Sequence, residues 1–227
     1  MSRLYAGDLH GDLDAIKHVD ACANKIDATA IVQVGDFGCL WLPGVDEYFQ
    51  SRSSKIPWYT CGGNHENYDN WHKAPSYGTN MSKLLPNVYW VHRGMCQIIE
   101  GKNHLFLGGA HSIDKHLRVE GKTWWKQEMP TYQELVTFSG ALDSQKPDVV
   151  VTHDGPQDIV AQMGFDWGSN LSRDLQSILD NSDHSPANWY FGHYHAFEQV
   201  VSVGYSYAYN NDEKFACCGV HGEFWVG

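Results

Sequence analysis

Long apolar runs are missing from this chain; no stretch approaches the roughly 18 consecutive apolar residues of a membrane span, so no membrane partner is expected. Runs of Lys or Arg are missing too. The formal charge is −11, from 16 basic and 27 acidic residues. An acidic chain is a poor general ligand for the nucleic-acid backbone, so net charge does not favour a nucleic-acid partner. Cysteine follows no disulfide-scaffold pattern: Cys22, Cys39, Cys61, Cys96, Cys217 and Cys218 are irregularly spaced. Cys217 and Cys218 are neighbours and would point to opposite faces of a strand. Free thiols in a reducing cytoplasm are the expectation. The chain opens Met-Ser-Arg-Leu-Tyr-Ala-Gly-Asp, without the charged start and apolar run of a secretory signal. Repeats, low-complexity segments and long linkers are also lacking. These absences fit one cytoplasmic domain over residues 1–227, long enough to bury a sizeable core.

Five short stretches carry the chemistry: Asp8-Leu9-His10, Gly35-Asp36, Gly63-Asn64-His65-Glu66, His153 and Gly192-His193-Tyr194-His195. They supply two Asp, one Asn and four His of metal-binding type, with His65 as a further imidazole. Oxygen and imidazole donors without Cys suit Mn, Fe, Zn, Co or Ni better than soft copper or an iron–sulfur cluster. A structural zinc site would be closed, four-coordinate and often Cys-rich. Seven such ligands are about what two adjacent ions need, with one carboxylate bridging, and a hydroxide shared by two dications attacks phosphorus at neutral pH.

The local frames agree. Ser2–Asp8, Ala30–Asp36, Pro57–His65, Pro147–His153 and Asn188–His195 each read as an apolar strand running into a polar turn, most of them glycine-containing. The polar residue lies at the strand's C-terminal end, where open α/β sheets carry their sites. Asp8 to Asp36 and Asp36 to Asn64 are equal steps of about 28 residues, which suits a parallel strand–helix–strand crossover.

The five stretches together, in this order, resemble the pattern of the calcineurin-like metallophosphoesterase superfamily. The resemblance implies an α/β (α+β) four-layer sandwich of two mixed β-sheets flanked by helices, with the metals at the strand ends. It implies that Asp8, His10 and His195 bind one divalent ion, that Asn64, His153 and His193 bind a second, and that Asp36 bridges them. Manganese is the expected ion, with Fe, Zn, Co and Ni also fitting. His65 is then the catalytic residue, protonating the leaving oxygen or stabilising phosphoryl charge. The implied activity is hydrolysis of a phosphodiester or phosphomonoester, possibly nucleotide-like, by in-line attack of a metal-bridging hydroxide. A phosphoprotein phosphatase or a nuclease with the same site is an alternative, and a non-catalytic binding or scaffold module on the same fold is another. Protein phosphatases of the superfamily carry Arg after the second and third motifs, where this chain has Phe37-Gly38-Cys39-Leu40 and Asn67. That weakens the protein phosphatase reading. Intact Asp8 and His10 argue against a lariat debranching enzyme.

Candidate substrate contacts are Arg118 and Asn64, with Lys115 beside Arg118. Trp124, Trp125, Trp41 and Trp71 are either base-stacking platforms or core. Asp12 reads as a helix N-cap; Glu66 and Asp154 read as partners orienting an imidazole or a metal-bound water, or as solvated loop carboxylates. His111, His116 and His221 match no motif. Helices are expected from Leu13 to about Asn24, over Asp46–Ser51, Thr131–Leu142 and Ser169–Asp180, with some helix near Met81–Leu85. Val88–Val91, Met95–Glu100 and His104–Gly109 read as a strand meander into a second sheet, and Phe197–Val226 as three short strands completing a sheet.

Overall fold

The computed structural model describes residues 2–165, 168–201, 214–218 and 224–227. Two mixed sheets face each other, with helices outside both. The first sheet is built on three parallel crossovers: β1 (Ser2–Ala6), β2 (Ala28–Gln33) and β3 (Trp58–Thr60) lie side by side. Helix α1 (Leu13–Lys25) makes the first crossover and α2 (Pro43–Ser51) the second, while the four-residue α3 (Tyr68–Trp71) follows β3. A hairpin then adds β4 (Ser76–Tyr77), β5 (Met81–Leu85) and β6 (Val88–Val91), with β6 parallel to β3 and antiparallel to β5. The second sheet begins with the hairpin β7 (Met95–Ile99) and β8 (Lys102–Leu107) and continues with β9 (Val149–Thr152), reached through α4 (Tyr132–Gln145). Helices α5 (Gln157–Gln162) and α6 (Asn170–Asp180) lead to β10 (Asn188–Phe191); then come β11 (Phe197–Val201) and β12 (Lys214–Cys218). The last strand, β13 (Trp225–Val226), returns to pair with β1.

Burial on both strand faces follows from this layering. In β1, Leu4 and Ala6 pack on the helix side with Ile16, Val19 and Ala23 of α1, while Tyr5 points between the sheets. Val32 of β2, Phe106 of β8, Val151 of β9 and Tyr190 of β10 share that inter-sheet layer. A third layer joins Leu107, Val150 and Phe191 to Phe138 and Leu142 of α4 and to Leu171, Leu175 and Leu179 of α6. Strands sandwiched in this way read as continuous apolar runs rather than alternating ones. Side chains cap helices α1, α4 and α6, Asp12 as expected. Asp12 accepts from the backbone N–H groups of Asp14 and Ala15 at 2.9 and 3.0 Å; Thr131 and Glu134 form a capping box; Ser169 caps α6.

Two expectations need correction. Met81–Leu85 is a strand, not a helix. Leu85 and Val88 face each other across Pro86-Asn87, with Asn87 at φ 57°, so a tight turn closes a hairpin there. Val88–Val91 belongs to the first sheet rather than the second, because its register with Trp58–Thr60 satisfies the free edge of β3. The three expected C-terminal strands are present, while His221 lies outside the described residues. Helix α5 was not foreseen.

Candidate metal centre

Both sheets present the C-terminal ends of parallel strands to one region, and there the loops bend sharply. Of the ten non-glycine residues with positive φ among the described residues, Asp8, His10, Asp36, His193 and His195 are five, at 47° to 70°. Left-handed backbone is disfavoured for residues with a Cβ, by roughly 1–2 kcal/mol each, and such strain concentrates at functional sites. The turns are tied to one another: the backbone N–H groups of Asp8 and His10 donate to the carbonyls of Gly35 and Asp36 at 3.1 and 2.7 Å. Glycine makes the approach possible at two positions. A Cβ on Gly63 would lie 2.1 Å from Asp36 Oδ1, and one on Gly35 would lie 2.3 Å from His153 Nδ1.

All seven expected ligands converge. The donor atoms of Asp8, His10 and His195 lie within 4.8 Å of one another, as do those of Asp8, Asp36 and His153. On the other side, His153 Nε2 and His193 Nδ1 both face Asn64 Oδ1, at 3.0 and 3.1 Å. Asp36 stands between the two groups, with Oδ2 3.6 Å from His10 Nε2 and Oδ1 3.4 Å from His153 Nε2. His153 donates its Nδ1–H to the carbonyl of Val34 at 2.8 Å, which turns Nε2 toward the centre. A histidine anchored in this way on a backbone carbonyl is the usual arrangement of a metal ligand.

Electrostatics follow from burial. Asp8 and Asp36 are buried almost completely. Burial pushes Asp8 up to about 7, with Asp36 adding to the rise and His153 opposing it. Burial also opposes ionisation of Asp36, yet the imidazole of His153, with help from His65 and His10, holds that carboxyl well below the usual carboxylate range. His153 is the counterpart: burial would lower it, but Asp36 and Asp8 push it up to about 10. Burial lowers His10 and His193 to about 4 each. Two buried carboxyl groups beside the imidazoles of His10, His153 and His193 form a donor set that suits divalent cations.

His65 lies beside this group. Its backbone N–H donates to Asp36 Oδ1 at 2.7 Å, and its ring Nε2 accepts from Arg118 Nη2 at 2.7 Å. A guanidinium can only donate, so the proton of neutral His65 resides on Nδ1. Its ring also meets His10 edge-on, with centroids 4.9 Å apart. Arg118, the expected phosphate contact, reaches the cavity over the centre, whose volume is about 400 Å³; Lys115 is not among the residues lining it.

Other expectations are revised. Glu66 orients no imidazole and is not solvated. It is buried and accepts from the backbone N–H groups of Phe37, Gly38 and Gly63 at 2.7, 3.1 and 3.3 Å, tying the second motif to the third. Burial, then the Asp36 charge, push it up to about 8 despite those donors. Asp154 is buried as well, accepting from the Tyr194 and Ser169 hydroxyls at 2.5 Å each. Trp71 and Trp125 are core; Trp71 donates to the Cys39 carbonyl at 3.0 Å and Trp125 packs edge-on against Trp41. These rings hold the loops rather than stack a base.

Sequence reasoning missed Ser112 and Glu128. Asn64 Nδ2 donates to Ser112 Oγ at 3.0 Å, and that hydroxyl donates to Glu128 Oε2 at 2.6 Å. The Ser112 backbone N–H reaches Glu128 Oε1 at 3.1 Å. The chain fixes the Asn64 amide with its oxygen toward His153 and His193. No short motif contains these two residues, so spacing alone gave no signal.

The structure is a two-sheet sandwich with an Asp/Asn/His cluster at the strand ends. The chain matches the calcineurin-like phosphoesterase family over residues 1–197, and it belongs to that family. No curated protein matches the chain in sequence. Among solved structures, the protein TT1561 of Thermus thermophilus aligns over 100% of this chain and 97% of its own, at 12% identity and a TM-score of 0.53. Phosphopantetheinyl hydrolase from Mycobacterium tuberculosis aligns over 96% of this chain and 89% of its own, at 12% identity and a TM-score of 0.51. A third structure reaches a TM-score of 0.62 at 13% identity, covering 99% of this chain and 93% of that one. At such identity the likeness extends to the fold alone. The family implies phosphate-ester substrates and divalent metal ions, and the converging Asp and His groups fit such ions. No helix among the described residues is long and apolar enough to cross a membrane.

Proposed function

We propose that this chain is a dinuclear-metal phosphoesterase of one domain, with Asp8, His10 and His195 holding one ion, Asn64, His153 and His193 the other, and Asp36 shared. The observation that carries this reading is the facing of His153 Nε2 and His193 Nδ1 onto one amide oxygen, beside a second cluster of Asp8, His10 and His195. Two divalent cations held there would supply Lewis acidity toward phosphoryl oxygens and make a water acidic enough to attack phosphorus in line at neutral pH. Manganese suits the oxygen-and-imidazole set, as do its first-row neighbours.

The chain's own residues do the rest. Asp36 and Asp8 provide anionic donors in a buried setting. Asn64 is kept in orientation by Ser112 and Glu128. His65 serves as the proton donor to the leaving oxygen or as a charge-stabilising group. Because its Nε2 accepts from Arg118, acid chemistry at that nitrogen requires Arg118 to release it, which substrate phosphate competing for the guanidinium would promote. Nε2 is occupied by a guanidinium, which favours this role over metal ligation. Chelator-stripped protein, assayed on bis-p-nitrophenyl phosphate and p-nitrophenyl phosphate with and without Mn²⁺, tests the proposal. Metal-dependent release of p-nitrophenolate from either ester is the expected result; release unaffected by stripping, or none at all, contradicts it.

A further inference from the structure

The cavity over the centre carries little net positive charge of its own at the rim. Arg118 is the one Lys or Arg among the described residues that lines it. The segments outside the described residues contain neither Lys nor Arg, and Lys214 opens β12 opposite Asn188, at the far end of the sheet. The charge of Arg118 is already matched at the rim. Its Nε donates to Asp114 Oδ2 at 2.9 Å, and Nη2 lies 2.9 Å from Asp114 Oδ1. Such a two-point pair is geometrically fixed. Nη1 is buried with no hydrogen-bond partner among the described residues, so a substrate oxygen reaches it only after the guanidinium shifts. The rim therefore offers a guanidinium already paired with a carboxylate that repels further negative charge. Two of the other residues lining the cavity are apolar. Ile113 lines the cavity although it is 68% exposed, and the Phe165 ring lines it as well. Together they give the mouth of a polar site an apolar surface that an organic group can contact.

We propose that the site takes a phosphodiester monoanion bearing an apolar or aromatic organic group, in preference to a monoester dianion or a polyphosphate, with Asp114 as the residue that discriminates. This inference rests on the phosphoesterase reading above. A diester replaces one charged oxygen with an organic group, which removes the repulsion from Asp114 and gives Ile113 and Phe165 something to cover. Hydrolysis adds one water across one P–O bond. The water oxygen bonds to phosphorus, the alkoxide leaves as an alcohol with a proton, and a phosphomonoester remains. That product carries a second charge, so the same rim favours its release.

The test is calorimetric titration of the re-metallated protein at mildly alkaline pH with inorganic phosphate and with phenyl methylphosphonate, a monoanion whose P–O–phenyl bond is checked for cleavage by phenol release. Turnover of bis-p-nitrophenyl phosphate and p-nitrophenyl phosphate is measured alongside. The phosphonate binds more tightly and the diester is the better substrate if the inference holds. Asp114→Asn narrows both preferences by roughly five- to tenfold, the scale of one partly screened charge repulsion. Ile113→Ser weakens phosphonate binding by roughly threefold to tenfold, as expected for a lost apolar contact, and leaves phosphate binding unchanged; this variant reads the apolar wall independently of any shift of Arg118 in Asp114→Asn. Phosphate binding as tight as phosphonate in the wild type overturns the inference, as does an unchanged preference in Asp114→Asn. Absence of turnover on both esters with the phosphonate preference intact overturns the phosphoesterase reading instead and supports the binding preference.

Discussion

Replacing Ser112 with Ala removes one hydroxyl and tests whether Asn64 is positioned rather than merely present. In the wild type that hydroxyl accepts from Asn64 Nδ2 at 3.0 Å and donates to Glu128 Oε2 at 2.6 Å, in a fully buried setting. The variant leaves an amide N–H and a carboxylate oxygen without those partners. Each buried unsatisfied group costs about 1–3 kcal/mol, so the metal-free protein loses roughly 2–6 kcal/mol of stability by the same rule. The second consequence is specific to the site. Once the amide is free to rotate, its NH₂ group can face His153 Nε2 and His193 Nδ1, and the oxygen no longer serves a cation. Loss of an outer partner of a ligand lowers metal affinity by about 10–100-fold. Chelator-competition titration measures that affinity, and thermal unfolding of the stripped protein measures the first effect separately. Ser112→Thr, which keeps the hydroxyl, retains the metal affinity. If Ser112→Ala unfolds more easily yet binds both ions with wild-type affinity, the positioning argument is refuted and the chain is only structural.

Other perturbations read other parts of the centre. His65→Ala keeps its metal content and fold but lowers kcat by about 10²–10⁴-fold, the usual contribution of a general acid–base group; wild-type turnover in that variant removes its role. Asp36→Ala loses one or both ions, read by elemental analysis, and an unchanged metal count sinks the bridging assignment. Gly63→Ala places a Cβ 2.1 Å from Asp36 Oδ1 and 2.3 Å from its backbone nitrogen. The variant is expected to lose about 1–3 kcal/mol or more from overpacking together with metal; an unaltered Tm speaks against so tight an approach. Far from the centre, burial lowers His104 from 6.5 to about 4, and its Nε2 meets the Tyr5 hydroxyl at 2.9 Å. Between those pH values the unfolded chain binds the proton and the folded one does not. Stability is therefore retained above 6.5 and falls as pH drops toward 4, by up to ~3 kcal/mol. Denaturant titrations across that range show the slope, and His104→Gln flattens it; an identical slope in the variant refutes the assignment.

How much was legible in the chain depended on how local the cause was. The strand-then-turn frames around Asp8, Asp36, Asn64, His153 and His193 are contiguous, so apolar runs and glycines revealed them. The caps at Asp12, Thr131 and Ser169 are equally local. The pairing of β5 was harder: Met81–Leu85 is short and its burial comes from the partner strand β6, which no helix or strand period in five residues could announce. Glu66 shows a subtler failure. Its position after His65 suggested an imidazole partner, whereas the fold brings Phe37 and Gly38 to it from 29 and 28 residues away. Ser112 and Glu128 were invisible for the same reason, since their link to Asn64 exists only once the sheets have packed. Arg118 was found as a cation near the site, but its pairing with Asp114 and its contact with His65 needed coordinates.

The central claim is that two metal ions held by these seven side chains hydrolyse a phosphate ester. The most direct measurement is turnover of bis-p-nitrophenyl phosphate by chelator-stripped protein as Mn²⁺ is added in known equivalents. The account predicts no turnover without metal and a rise that levels off at two ions per chain. Full turnover without added metal, or a plateau at a single ion, would contradict it.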